Sequence, residues 1–262
     1  MTGLWSGAGQ IDNKKRTLEV ILPLVDPFIQ PYEAWTTRTP SIEEMMEAQK
    51  RTGKVSLHVN DQLIARVTTG LEAANYIGSV GADNGLGNHI NDALDNDSSY
   101  AVWRREMPSA TPPGLKNYKS RYPAYDALQV NSEINVHGAC LSPGQVLFHA
   151  GVWPGGLSLV TDRPLSSSFC PQVALRNAEH RGKAYDANRI DLFVLRVAAS
   201  ATKAFAYKRK GLALGHENEV LFSAGASLSL ISQTLIRHDH PVGKAHCSEK
   251  RVPLYVLEIE LS

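Results

Sequence analysis

The sequence predicts an α+β protein, helical and loop-rich over residues 1–140 and β-rich over residues 141–262. Three observations lead there. The first half carries helix-start signals and apolar residues at helical spacing. The second half carries short apolar runs separated by turn formers. Its last run, VPLYVLEIEL (252–261), alternates strictly from Leu257 to Leu261, as a strand with one wet face does.

In the first half, Ser41-Ile-Glu-Glu44 reads as a capping box opening a short helix through Met45 and Met46. A second helix is expected over 60–77, capped by Asn60 or Asp61, with Leu63, Ile64, Val67, Leu71 and Ala74 on one face. The stretch 81–88, GADNGLGN, is rich in turn formers, and 108–114, PSATPPG, reads as a loop or linker because its prolines exclude helix interior. A shorter helix is expected around 123–133.

In the second half the apolar runs are 146–153, 157–160, 191–198, 204–207, 219–231 and 252–261. One helix interrupts them at about 171–180, with Pro171 suited to its first turn. Internal repeats and low-complexity tracts are absent.

The totals exclude several classes. A length of 262 residues supports a sizeable core in one large domain or two small ones. An apolar fraction of 43% with 20% charged residues is ordinary for a soluble globular chain. A formal net charge of +1 argues against bulk capture of nucleic acid or anionic membrane. Cys140, Cys170 and Cys247 lack CxxC spacing and make no disulfide framework; three free thiols, or one bridge and one free thiol, fit. No run of 18 apolar residues exists, and MTGLWSGAGQIDNKK lacks the apolar centre of a secretory signal. Export by a specialised machine stays open.

Three short motifs stand in order in the β-rich half: Leu147-Phe148-His149-Ala150-Gly151, then Ser166-Ser167-Ser168 before a helix bearing Ala174, then Glu217-Asn218-Glu219-Val220-Leu221. Alone, each has an ordinary structural explanation. Together, with strand, small-residue turn, short strand, basic loop, Glu-x-Glu and strand over Leu192–Ser232, they resemble the ADP-ribosyltransferase family, in its bacterial toxin-like branch. The resemblance covers about 141–262. His149 stands where that branch has arginine, is followed by Ala150 before Gly151, and resembles the histidine of the diphtheria-toxin-like branch; the triplet is all serine.

The resemblance implies a split, twisted β core with the helical region packed beside it, and NAD as co-substrate without metal. It implies Glu219 as the carboxylate that accepts from a ribose hydroxyl and steadies an oxocarbenium-like sugar, and Glu217 as base or orienter for the acceptor. Residues i and i+2 of an extended chain point the same way, so both carboxylates can face one cleft. Ser166 would hold Glu219, Ser168 the neighbouring strand, His149 would donate to a ribose hydroxyl, and the backbone at Gly151 would grip nicotinamide. Arg163, Arg176 and Arg181 are candidates for the pyrophosphate and Tyr185 for stacking on nicotinamide. The loop holding Lys208, Arg209, Leu212 and His216 would touch the acceptor protein. Members of this branch are often effectors delivered into a host cytoplasm, with ubiquitin among their targets; a resident bacterial cytoplasmic protein is the alternative. A monomer is expected.

Three other readings stay open: an NAD glycohydrolase, a non-catalytic protein-binding module, and a metal-dependent hydrolase built on His238, His240, His246 and Cys247, since HxH is a zinc-ligating pattern. A dinucleotide-binding βαβ unit is excluded, because Gly81, Gly85 and Gly87 form no GxGxxG after a strand.

Overall fold

The computed structural model describes residues 20–208 and 217–262. In the first half, β1 (Ile21–Leu22), β2 (Tyr32–Arg38), α1 (Ile42–Thr52), β3 (Val59–Val67), α2 (Gly70–Val80), α3 (Asn84–Asn96), α4 (Ser98–Glu106), α5 (Pro113–Arg121), α6 (Ala127–His137) and β4 (Ala139–Leu141) follow in order. The second half carries β5 (Val146–Gly151), β6 (Ser158–Val160), β7 (Leu165–Ser168), α7 (Pro171–Glu179), α8 (Lys183–Ala187), β8 (Ile190–Val197), β9 (Lys203–Ala206), β10 (Glu219–Phe222), β11 (Ser227–Val242) and β12 (Lys250–Leu261).

The α+β expectation holds. Among the described residues, ten strands form one sheet in the order β1-β4-β9-β10-β7-β5-β8-β12-β11-β6. Its pairings are antiparallel except β1 with β4 and β8 with β12. The centre is the weak point: β5 and β7 meet through the single pair Phe148 and Ser168. Two five-stranded halves therefore diverge from that pair, and a cleft opens where they part.

One contiguous apolar core joins helices and sheet. Ala74 and Ile77 of α2 and Leu86, Ile90 and Leu94 of α3 are fully buried in it. Trp103 of α4 packs on Phe169, just after β7, with ring centroids 5.3 Å apart. Gln145, fully buried, accepts from the Val25 N–H and donates to the Val25 carbonyl, each at 2.9 Å, and so ties the N-terminal stretch to the sheet. Leaving either backbone group unpaired would cost about 1–3 kcal/mol. The burial of β12 follows the predicted alternation, with Leu257, Ile259 and Leu261 inside.

The capping box at Ser41 forms as read: Ser41 Oγ accepts from the Glu44 N–H at 3.2 Å, and Glu44 Oε2 accepts from the Ser41 N–H at 2.8 Å. Pro171 occupies the first turn of α7. Cys140 and Cys170 are buried and Cys247 is exposed.

Three local expectations fail. Residues 59–67 are strand, not the start of a helix; they pair with β2, whose Tyr32, Trp35 and Thr37 favour extended pairing, and the helix begins only after the Thr69 cap. GADNGLGN is half helix: Asp83 caps α3 by accepting from the Gly85 N–H, which outweighs the glycines. The helix expected at 123–133 starts at 127, where Asp126 caps it. The proline-rich stretch is loop to Pro112, and Pro113 opens α5, where its missing N–H costs nothing.

Candidate functional site

The serine triplet lies on β7 against β10. Glu219 stands opposite Ser168, Val220 opposite Ser167 and Leu221 opposite Ser166. Side chains alternate across a sheet, so Ser166, Ser168 and Glu219 share one face and Ser167 the other. Ser166 Oγ donates to Glu219 Oε1 at 2.6 Å, a charge-assisted contact along the diagonal of the pair. Ser167 Oγ donates to the Val220 carbonyl at 2.7 Å. Ser168 Oγ donates to the Glu217 carbonyl at 2.5 Å and accepts from the Cys170 N–H at 3.0 Å. Ser168 is therefore occupied by backbone and fixes where Glu217 leaves the sheet; its hydroxyl is not free for a ligand.

Glu217 and Glu219 do converge, but not by strand alternation. Strand β10 begins at Glu219, and Asn218 takes a left-handed backbone, φ 48°. Asparagine tolerates that region better than most residues. Its buried side chain donates to Asn91 Oδ1 at 2.8 Å.

Both carboxylates meet one cation. Lys119 Nζ, on α5, lies 2.8 Å from Glu219 Oε2 and 3.1 Å from Glu217 Oε2. Its ammonium also stands 4.9 Å from the centre of the Tyr207 ring. The first turn of α5 is held from outside: the Gly114 and Leu115 N–H groups both donate to Glu133 at 2.9 Å. Tyr207 Oη donates to the Leu115 carbonyl at 2.9 Å, and burial pushes the Tyr207 phenol well above its ordinary range.

His149 is the fourth residue of β5. Its Nδ1 is 2.7 Å from the Ser166 carbonyl, an oxygen that can only accept, so Nδ1 carries a proton. Burial pushes the imidazole down to about 4, helped by the cations Lys183 and Arg163 and opposed by the Ser166 contact. The ring is thus neutral near pH 7, and Nε2 offers a lone pair. In this tautomer Nε2 can accept a hydrogen bond but not donate one. A Cβ at Gly151 would stand 3.5 Å from Nε2, so glycine leaves that nitrogen uncovered.

The cleft encloses about 1110 Å³ and is lined by His149, Gly151, Arg163, Ser166, Ser168, Arg176, Arg181, Glu217 and Glu219, all singled out from sequence. Lys119, Lys183 and Arg189 line it too, against Asp162 and the two glutamates as the acidic side chains, so the cavity is net basic. Tyr118, Tyr122 and Tyr125 form one wall, with Tyr118 and Tyr125 centroids 4.7 Å apart. Their spacing of four and three residues gave no usable signal, since α5 ends at Arg121 and Pro123 interrupts any helix between them; Lys119, about a hundred positions from the glutamates, gave none either.

One residue expected in the cleft lies elsewhere. Tyr185 lies outside the cleft lining, its ring covered by Lys250 Nζ at 4.0 Å, because α8 turns that face toward β12. Lys208 Nζ reaches the Ser109 carbonyl at 3.4 Å. Arg209, Leu212 and His216 lie outside the described residues. The histidine cluster does not gather: His240 is buried with Nε2 2.7 Å from Glu179 Oε1, while His238, His246 and Cys247 are exposed. Among the described residues no three His, Cys, Asp or Glu side chains are grouped as metal ligands, and no helix is long and apolar enough to cross a membrane.

No protein-family profile matches the chain, and no curated protein matches it. Solved structures similar to it include the enzymatic component C2-I of the C2-toxin from Clostridium botulinum, at 12% identity and a TM-score of 0.38, covering 62% of this chain and 45% of that one. The Vis toxin, an ADP-ribosyltransferase from Vibrio splendidus, aligns at 12% identity and a TM-score of 0.31 over 86% of this chain and 88% of its own. Plx2a, an ADP-ribosyltransferase toxin from Paenibacillus larvae, aligns at 8% identity and a TM-score of 0.36 over 62% of this chain and 90% of its own. The chain thus spans less than half the length of C2-I.

Proposed function

We propose that this chain is a mono-ADP-ribosyltransferase that breaks the nicotinamide–ribose bond of NAD and passes ADP-ribose to a protein. The observation that carries the reading is the Ser166–Glu219 contact of 2.6 Å, with Glu217 and His149 on the same cleft. Departure of nicotinamide leaves a cation-like ribose, and a carboxylate fixed in advance stabilises it without reorganising. Glu219 fills that role and Ser166 fixes its orientation. His149 Nε2 accepts from a ribose hydroxyl, and Arg163, Arg176 and Arg181 supply positive charge for the pyrophosphate. Glu217 takes the acceptor's proton. The segment Lys208–His216 runs directly into Glu217 in the chain, which is why we read it as the acceptor-facing loop.

The test is incubation with NAD labelled in the adenosine part, with host-cell lysate and with purified ubiquitin, for the wild type and Glu219→Gln. Expected are nicotinamide release and label fixed to protein, both lost in Glu219→Gln. Label appearing only as free ADP-ribose would assign an NAD glycohydrolase, and equal activity of the variant would remove Glu219 from the chemistry.

A further inference from the structure

We infer that Lys119 is a positioning residue for the chemistry: its ammonium holds the carboxylates of Glu217 and Glu219 together as a charged pair. The inference rests on the proposed transferase reading and concerns the same cleft.

That reading needs two carboxylates at one point, Glu219 to steady the ribose and Glu217 to receive a proton. Left to themselves they repel. Lys119 Nζ lies 2.8 Å from Glu219 Oε2 and 3.1 Å from Glu217 Oε2, so the two carboxylates stand within about 6 Å of each other. At that range like charges drive a proton onto one of the pair, and a protonated glutamate can do neither task. A shared cation removes the conflict. The cluster stays net negative, so it still draws a cation-like ribose.

The surroundings leave this duty to Lys119. Its side chain is only 5% exposed, against 11% for Glu219 and 20% for Glu217, so water screens the three groups weakly. Tyr118 of α5 and Tyr207 after β9 are neutral, since burial and then the charge of Glu219 push both phenols well above their ordinary range. His149 of β5 is neutral near pH 7. Ser166 of β7 brings a hydrogen bond without charge. Arg163 and Lys183 line the cleft, but among the described residues the ion pairs of both glutamates run to Lys119.

The two carboxylates are not held alike. Glu219 has a second anchor in Ser166 Oγ at 2.6 Å, whereas among the described residues Lys119 is the side chain that fixes the Glu217 carboxylate. The ammonium is itself held in place, with the Tyr207 ring 4.9 Å away and α5 tied down by Glu133 and by Tyr207 Oη. Its loss frees Glu217 to swing away and leaves Glu219 against Ser166.

The experiment follows nicotinamide release from NAD, with water as acceptor, from about pH 5 to 9. It compares wild type, Lys119→Met, Lys119→Gln and the double variant Lys119→Met, Glu217→Gln, with thermal melting of each. In folded single variants kcat should fall at least about tenfold, with KM for NAD within about threefold of wild type. The acid limb of kcat should move up by about one pH unit or more, because one glutamate now keeps a proton to higher pH. In the double variant a neutral amide replaces one of the repelling charges, so the limb should return to its wild-type position and melting should rise above that of Lys119→Met. An unmoved acid limb in a folded single variant overturns the inference. So does a raised KM at unchanged kcat, which would make Lys119 a phosphate-binding cation. If neither single variant folds, the double variant still should, and its failure to melt above Lys119→Met overturns the inference too. Each of these outcomes leaves the transferase reading intact; absence of nicotinamide release from the wild type overturns that reading itself.

Discussion

Ser166 Oγ and Glu219 Oε1 lie 2.6 Å apart, on neighbouring antiparallel strands and two residues off the direct pair of Glu219 with Ser168. The serine therefore fixes a rotamer, and the glutamate carries the charge. Replacing Glu219 by Gln keeps the shape and removes the charge, and should lower the turnover rate of nicotinamide release by roughly 10²–10³. Replacing Ser166 by Ala leaves the charge and frees the rotamer; a loss of about tenfold is expected, in kcat rather than in KM for NAD. Steady-state kinetics of both variants separate the roles, and an unchanged kcat in Ser166→Ala would remove the brace.

His149 gives the protein an acid-sensitive point. Its imidazole titrates at about 4 when folded, against about 6.5 when unfolded. Between those values the unfolded chain binds more protons, so stability falls as pH drops from 6.5 toward 4 and is untouched above 6.5. The full loss is on the order of 3 kcal/mol. Denaturant midpoints of wild type and His149→Phe, measured from pH 4 to 8, should converge as pH falls through that window. Parallel curves would show that the imidazole is not held neutral.

The sequence foretold the strand half better than the helical half, for a physical reason. Strands with a buried face announce themselves through alternation, as Leu257 to Leu261 do, and short motifs at strand ends keep their spacing in three dimensions. Residues 59–67 carry apolar groups compatible with either period, and only pairing with β2 decides between them. The carboxylate, serine and histidine of the cleft were legible because each sits on a short strand within a motif of fixed order. Lys119 was not, because a lysine on a short helix reads as a solvated side chain until the fold brings it to Glu217 and Glu219. Tyr185 was misplaced for the converse reason: proximity in sequence to the cleft says nothing about which face of α8 turns inward.

Arg189 and Asp191 hold the start of β8. Arg189 Nε donates to Asp191 Oδ1 at 2.6 Å, Asp191 Oδ2 accepts from the Trp153 N–H at 2.7 Å, and Asp191 is fully buried. Arg189→Ala strands that carboxylate without its cation, which should cost about 3 kcal/mol. For a chain of this size the melting temperature should fall by roughly 6–12 °C. Asp191→Asn, Arg189→Ala in combination should recover part of the loss, since the stranded charge is gone. Calorimetry on the single and double variants checks this, and equal melting of both would show the charge is not the cause.

Asn218 is where the backbone reverses hand between the two carboxylates. With φ at 48°, an ordinary side chain there is strained by roughly 1–2 kcal/mol, while glycine is not. Asn218→Ala loses both the left-handed tolerance and the 2.8 Å contact to Asn91, whereas Asn218→Gly loses only the contact. The alanine variant should therefore be less stable than the glycine variant by about 1 kcal/mol, read as the difference in denaturant midpoint at constant slope. Activity should follow the same order, because a relaxed backbone at 218 swings Glu217 away from Glu219 and separates the base from the ribose-facing carboxylate. Equal stability and equal activity in the two variants would mean that the turn is set elsewhere, by the Ser168 hydroxyl on the Glu217 carbonyl.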